Sequence, residues 1–182
     1  MKKIAVLFGG KGTNLAYLAE HLHHKDVEIA VALTNNPEAG GIKVAKAHGI
    51  PLEIIDPKAY ESREAYDAAV VERLHAYTPD LTVLAGFMRI LTPVFTEQIR
   101  AINLHPSLLP RHKGLHAIEK SFADNFDEGG VSVHLVTSEL DGGKIIVQKR
   151  IAKVGHDLQS YTEAVKRIEK EALSEAILAL LK

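Results

Sequence analysis

Five short runs able to form buried strands recur along residues 1–105: Ile4–Phe8, Glu28–Thr34, Leu52–Ile55, Leu81–Ala85 and Ala101–His105. Helical patterns separate most of them. Leu15, Leu18 and Leu22 share one face, and Ile42–His48 forms a short helix stopped at Gly49. Ser62 is placed to cap a helix running to Tyr77 with Tyr66, Val70 and Leu74 on its inner stripe, and Thr92-Pro93 opens another helix, with a cap followed by proline at the first turn. A cap residue followed by an apolar period of 3.6 marks a helix start, and proline fits its first turn. Strand and helix in alternation predict a mostly parallel sheet flanked by helices through right-handed crossovers, that is, a Rossmann-like α/β fold. After residue 115 the pattern changes. A helix over about His116–Ala123 leads to Val131–Val136, a glycine turn at Asp141-Gly142-Gly143 and Lys144–Arg150, which predicts an antiparallel hairpin on the sheet. Asp157 or Ser160 then caps a last helix with Tyr161, Val165, Ile168, Ala172, Ala176 and Leu180 on its apolar stripe. No linker or repeat interrupts the chain, so residues 1–182 are expected to form a single domain.

Composition narrows the function classes. With 22 basic and 23 acidic residues the formal charge is -1, which gives no electrostatic footprint for nucleic acid. No cysteine is present, so thiol nucleophiles, disulfides and Cys-ligated zinc are excluded. The apolar run after Met1-Lys2-Lys3 is shorter than the roughly 7–15 residues of a secretory core, and no run reaches a membrane span. A cytoplasmic setting is expected. Oligomeric state is not legible.

The chemistry concentrates at Asn103-Leu104-His105-Pro106-Ser107-Leu108-Leu109-Pro110. Strand side chains alternate, so Asn103 and His105 share one face at the point where Pro106 stops the strand. A neutral amide donor beside a titratable imidazole suits a reaction that builds charge on a carbonyl oxygen and moves a proton. Glu139-Leu140-Asp141-Gly142-Gly143 offers a carboxylate, although an Asp-Gly turn is also ordinary. If Asp141 stood beside His105 it would raise the imidazole pKa and favour its protonated form. His134 reads either as a satisfied core histidine or as a support for the site, with the first favoured. His112 and His116 fall in the loop after the key stretch, where a cleft role and a plain surface role are equally open. No tight histidine spacing supports a metal, and none is expected.

Gly9-Gly10-Lys11-Gly12-Thr13-Asn14 turns the chain between the first strand and first helix, where free amides and a helix end favour an anion. A dinucleotide fingerprint fails, because Leu15 stands where the third glycine belongs and Thr34-Asn35-Asn36 replaces the acidic residue after strand two. A triphosphate loop fails too, because Gly12 rather than Ser or Thr follows Lys11. A site for one phosphate at Gly12, Thr13 and Asn14 and a plain tight turn remain evenly weighted. Arg63 sits in a first helical turn, where a cation opposes the helix dipole. It is either a surface residue or a contact for an anionic ligand. Phe87-Met88-Arg89-Ile90-Leu91 leaves strand four without a helical pattern, either as a buried connection or as a backbone rim for a flat ring.

These stretches occur together and in order: Gly10–Leu15, Ser62–Asp67, Leu84–Leu91, Asn103–Pro110, Ser132-Val133-His134 and Glu139–Gly143. In that arrangement the chain resembles the phosphoribosylglycinamide formyltransferases, over almost its whole length. Asn-x-His-Pro-Ser and Leu-Asp-x-Gly are shared by the wider formyltransferase superfamily; the glycine loop and Gly114-Leu115-His116 point to the glycinamide branch. The resemblance implies transfer of a formyl group from 10-formyltetrahydrofolate, as co-substrate, to the amine of glycinamide ribonucleotide in purine synthesis. It implies that Gly12, Thr13 and Asn14 hold the substrate phosphate. Met88, Arg89, Ile90 and Leu91 would line the pterin site, with Arg63 on the folate side and Asn103 also in reach of folate. Asn103 would stabilise the oxyanion of a tetrahedral intermediate, His105 would donate a proton, and Asp141 would assist its transfer. Glu169 matches a position that touches the substrate ribose.

The chain departs from the family pattern at Lys113, where proline usually precedes Gly-Leu-His. It departs again around Glu169, where Glu-Lys-Glu-Ala-Leu-Ser lacks the usual His and Tyr-Pro. The stretch between Arg89 and Asn103 is slightly short. Three rivals are open to test. A formyltetrahydrofolate hydrolase would typically carry a further N-terminal domain and need no phosphate loop. A formyltransferase for initiator tRNA would need a basic surface. A non-catalytic phosphate-binding module would leave Asn103, His105 and Asp141 without a task.

Overall fold

A computed structural model describes residues 1–182. Seven strands form one sheet: β1 (Lys3–Phe8), β2 (Glu28–Thr34), β3 (Leu52–Ile54), β4 (Leu81–Leu84), β5 (Ala101–His105), β6 (Glu128–Leu135) and β7 (Ile145–Ala152). Their order is β3-β2-β1-β4-β5-β6-β7. The helices are α1 (Thr13–His21), α2 (Gly41–Ala47), α3 (Arg63–Tyr77), α4 (Pro93–Thr96), α5 (Ala117–Ala123) and α6 (Leu158–Leu180). The mostly parallel α/β sheet with an antiparallel end follows the sequence pattern. Contacts divide the chain into two compact units, Met1–Ile102 and Asn103–Leu180.

In the first unit, β1 pairs in parallel with β2 and with β4, and β2 pairs in parallel with β3. Ile4, Val6, Leu7 and Phe8 are fully buried, as are Val31 and Leu33. A strand buried on both faces reads as an unbroken apolar run, which is why these segments lack alternation. Strand order reverses between β1 and β4, the place where an open α/β sheet leaves a crevice at its strand ends. The loops leaving β1 and β4 approach closely there: a Cβ on Gly9 would stand 3.0 Å from the Gly86 carbonyl oxygen.

Ser62 caps α3 by accepting from the Ala65 amide at 3.0 Å. Thr92 makes no side-chain cap at α4. Its amide and hydroxyl both donate to the buried Asp67 carboxylate, each at 2.8 Å, and α4 lasts a single turn. A short helical turn at Pro57–Ala59 was not legible from periodicity, because three residues carry no period.

In the second unit, β6 and β7 pair antiparallel from Glu128 opposite Ala152 to His134 opposite Ile145. The strand β6 begins at Glu128 rather than Val131, since Gly129 and Gly130 pair despite their weak strand preference. Gly129 is required by packing: a Cβ there would lie 1.8 Å from the Tyr161 hydroxyl. Asp157 caps α6, accepting from the Ser160 amide at 2.8 Å, while the Ser160 hydroxyl accepts from the Asp157 amide at 3.1 Å. The buried stripe of α6 is wider than the predicted one, adding Ala164, Leu173 and Ile177, whereas Ile168 and Leu180 are half-buried.

Candidate active site

The second unit brings His105 and Asp141 together. At the end of β5 His105 is buried, and its Nδ1 lies 3.4 Å from Asp141 Oδ2. Asn103, two residues earlier on the same strand, is half-buried. The other ring nitrogen, His105 Nε2, donates to the His112 carbonyl at 2.8 Å. A carbonyl only accepts, so this contact assigns a hydrogen to Nε2.

Asp141 occupies a left-handed backbone position (φ 50°), which Asp tolerates better than most residues. Its Oδ2 accepts from the Gly114 amide at 2.9 Å, and its Oδ1 lies 3.4 Å from His134 Nε2. Burial alone would push this carboxyl up. The His134 imidazole, the Gly114 amide and the His105 charge outweigh burial and hold it below the ordinary carboxylate range.

His134 is therefore not simply a core histidine. Its Nδ1 donates to the Leu135 carbonyl at 2.9 Å, which turns Nε2 toward the carboxylate. That Nε2 is buried, and the contact to Asp141 is too long or oblique for a hydrogen bond. Sequence alone could not assign it, because alternation places His134 on a face without saying what stands opposite.

The loop after β5 is closely tied. Ser107 donates through its hydroxyl to the Arg111 carbonyl, and Leu109 donates its amide to Ser132 Oγ at 3.0 Å. The Ser132 hydroxyl in turn donates to the Ser107 carbonyl at 2.7 Å. Lys113 is exposed, with Nζ 3.5 Å from Glu139 Oε1, a weak screened pair. Glu169 on α6 is half-buried, and burial raises its carboxyl against the opposing pull of Lys170 and Lys166. Within residues 1–182, no cluster of three or more His, Asp or Glu side chains is arranged to hold a metal.

In the first unit, Gly12 (φ 77°) precedes α1, which has no side-chain cap and no acid in its first turn. A Cβ on Gly12 would lie 2.5 Å from Gly41 Cα, so backbone packing alone demands glycine here. The stronger indication of a ligand is Asn14, whose Oδ1 is buried without a hydrogen-bond partner. Thr13 is exposed beside it. The stretch after β4 starts at Gly86 (φ 83°) and carries Met88 and Ile90 exposed at 73% and 61%. Leu91 is half-buried. The Arg89 guanidinium lies 4.0 Å from the Tyr66 ring centroid, a cation–π contact. Burial lifts the Tyr66 hydroxyl to about 12 against the pull of Arg89, and that hydroxyl donates to the Ile55 carbonyl at 2.8 Å. Arg63 lies exposed in the first turn of α3.

Comparison with known proteins follows the same lines. The family model described as Formyl transferase matches residues 2–177. The phosphoribosylglycinamide formyltransferase of Escherichia coli is 34% identical over 180 residues, covering 97% of this chain and 85% of that protein. That of Bacillus subtilis is 33% identical, covering 100% and 95%. The crystal structure of phosphoribosylglycinamide formyltransferase from Campylobacter jejuni superposes with a TM-score of 0.97 at 46% identity, covering 100% of this chain and 98% of that one. This chain belongs to the formyl transferase family.

Proposed function

We propose that this chain transfers the formyl group of 10-formyltetrahydrofolate to the amine of N1-(5-phosphoribosyl)glycinamide, a step of de novo purine biosynthesis. One observation carries the reading: the buried His105–Asp141 pair, with Nδ1 and Oδ2 3.4 Å apart, two residues along the strand from Asn103. The relatives named phosphoribosylglycinamide formyltransferase support the choice of substrate. We assign residues 1–182 to one formyltransferase domain, which the unbroken family match supports.

The substrate amine attacks the formyl carbon, a C–N bond forms, and negative charge gathers on the formyl oxygen. Asn103 donates its side-chain amide to that oxygen, a donor whose strength does not vary with pH. Such a preorganised donor contributes about 3–4 kcal/mol to the transition state. As the tetrahedral species collapses, the bond to folate N10 breaks, N10 gains a proton and the attacking nitrogen loses one. Since Nε2–H of His105 is engaged by the His112 carbonyl, Nδ1 is the nitrogen that trades a proton in this step. Asp141 faces Nδ1 as a carboxylate and stabilises the imidazolium between transfers.

Gly12, Thr13 and Asn14 hold the substrate phosphate through uncapped first-turn amides and the helix dipole, while the unpartnered Asn14 Oδ1, an acceptor, calls for a donor such as a substrate hydroxyl rather than the phosphate itself. Met88, Arg89, Ile90 and Leu91 line the pterin position, with Arg63 toward the folate tail. Glu169 takes the ribose. A cytoplasmic setting fits the substrates; no helix is long and apolar enough to cross a membrane. Purified protein incubated with glycinamide ribonucleotide and 10-formyltetrahydrofolate should yield the formylated ribonucleotide. Formate release without transfer would instead assign the chain as a hydrolase.

A further inference from the structure

Beyond the residues placed in the reaction above, the His105 ring is held by a contact that no motif of the sequence marks. Its Nε2–H points at the His112 carbonyl, 2.8 Å away. That carbonyl decides which ring nitrogen is permanently protonated, and so leaves Nδ1, facing Asp141, as the nitrogen free to exchange. The orientation of one peptide group therefore governs the acid–base state of the ring.

The peptide is in an uncommon conformation. His112 has φ 53°, a left-handed position that costs a side chain roughly 1–2 kcal/mol. Its flanks are tied, since the Arg111 carbonyl accepts from Ser107 and the Gly114 amide donates to Asp141. The peptide between them is left to the His112 side chain. The ring of His112 meets Asp124 Oδ2 through Nε2 at 2.7 Å. Asp124 follows α5 directly and is fixed in turn: Oδ1 accepts from the Phe126 amide at 2.9 Å and from Lys153 Nζ, and the same Nζ reaches the Asp124 carbonyl at 3.2 Å. The His112 and Asp124 side chains are only 25% and 14% exposed, so solvent competes weakly for the contact. Although burial opposes it, bonding to Lys153, His112 and Phe126 brings the Asp124 carboxyl down to about 2, so it is charged throughout the neutral range.

We propose that Lys153, Asp124 and His112 form a clamp that fixes the tautomer and tilt of the His105 ring, which makes all three positioning residues for formyl transfer. The clamp rests on the assignment of His105 as the proton-transferring group, but its effect on the ring can be read without turnover.

The test uses the full chain with 15N-labelled histidine, the His105 signals being assigned by their loss in His105→Gln. In the unaltered protein the His105 ring should show a protonated Nε2 at every pH at which it is neutral. Asp124→Ala and His112→Ala should each shift the ring 15N signals toward a mixture of tautomers. They should lower kcat about tenfold or more while KM for both substrates stays within about twofold, as expected when only the tautomer is disturbed. His112→Gln, which can still donate to Asp124, should recover most of the lost kcat. Should Asp124→Ala not fold, Asp124→Asn and Lys153→Met give the same reading of the ring. An unchanged His105 ring in the folded variants overturns the clamp. A loosened ring with unchanged kcat confirms that the three residues hold the ring but overturns their role in formyl transfer, and removes His105 from the chemistry.

Discussion

His134 Nε2 and Asp141 Oδ1 stand 3.4 Å apart, on the opposite oxygen of the carboxylate from the one that faces His105. Asp141 thus lies between two imidazoles while its Oδ2 also accepts from the Gly114 amide. The His134 contact helps hold the carboxyl below its ordinary value against burial. His134→Leu should therefore let burial raise it. The proposed mechanism uses Asp141 as a carboxylate, and on that mechanism the acid limb of the kcat profile should move to higher pH. A profile in buffers of constant ionic strength, carried down from pH 8 to as far below pH 4 as the protein stays folded, reads the shift, and an unmoved limb would show that His134 serves packing alone.

Removing the chemistry outright should separate from removing binding. His105→Ala and Asp141→Ala are each expected to lower kcat by about 10²–10⁴ while a phosphate-bearing ligand binds as before. Thr13→Pro should do the reverse. Proline is accepted at a first helical position but takes away one amide, so KM for the ribonucleotide should rise about tenfold with kcat nearly kept. Steady-state kinetics of the three proteins side by side decides it; loss of binding alone in all three would refute the division of labour.

Stability on the acid side should report Asp124. Its folded-state carboxyl lies near 2, below the ordinary value, so its stabilising contribution is complete above the unfolded value and disappears as pH falls through about 2. In urea titrations Asp124→Asn should be less stable than the unaltered protein at pH 6, by about 1 kcal/mol after allowance for screening, and the gap should close near pH 2. A gap that persists at low pH would mean that the charge is not the source.

Gly129 offers a purely steric test. An alanine Cβ would meet the Tyr161 hydroxyl at 1.8 Å and must displace a fully buried ring. Gly129→Ala should cost about 1–3 kcal/mol by overpacking. Tyr161→Phe in the same chain should relieve part of that cost, measurable as a recovery in the denaturation midpoint.

How much of this could be read from the chain differs between elements for physical reasons. Ile4–Phe8 and Glu28–Thr34 announce buried strands because both of their faces are covered, and Ser62 announces α3 because a cap is a local bond. Asn103 and His105 were legible as a pair for the same reason, their spacing being fixed by one strand. Thr92 marked the start of α4 correctly, yet its hydroxyl makes no cap bond, because a buried carboxylate 25 residues earlier takes it. Gly129 and Gly130 concealed the start of β6, since what keeps them extended is a ring on α6 and a partner strand. The His112–Asp124–Lys153 contacts had no local trace. They depend on where a left-handed residue turns a carbonyl, and nothing in neighbouring letters encodes that.

The stretch from Gly86 to Thr92 is pinned at its ends, by a left-handed glycine at one and by the twin bonds of Thr92 to Asp67 at the other, while Met88 and Ile90 reach outward. Its shape is consequently written in the main chain and in Asp67, not in the side chains it displays. Randomising positions 88 and 90 should therefore yield many working enzymes, and randomising 67 or 92 very few. For drift among relatives and for inhibitor resistance alike, the two outward positions are where change comes cheaply.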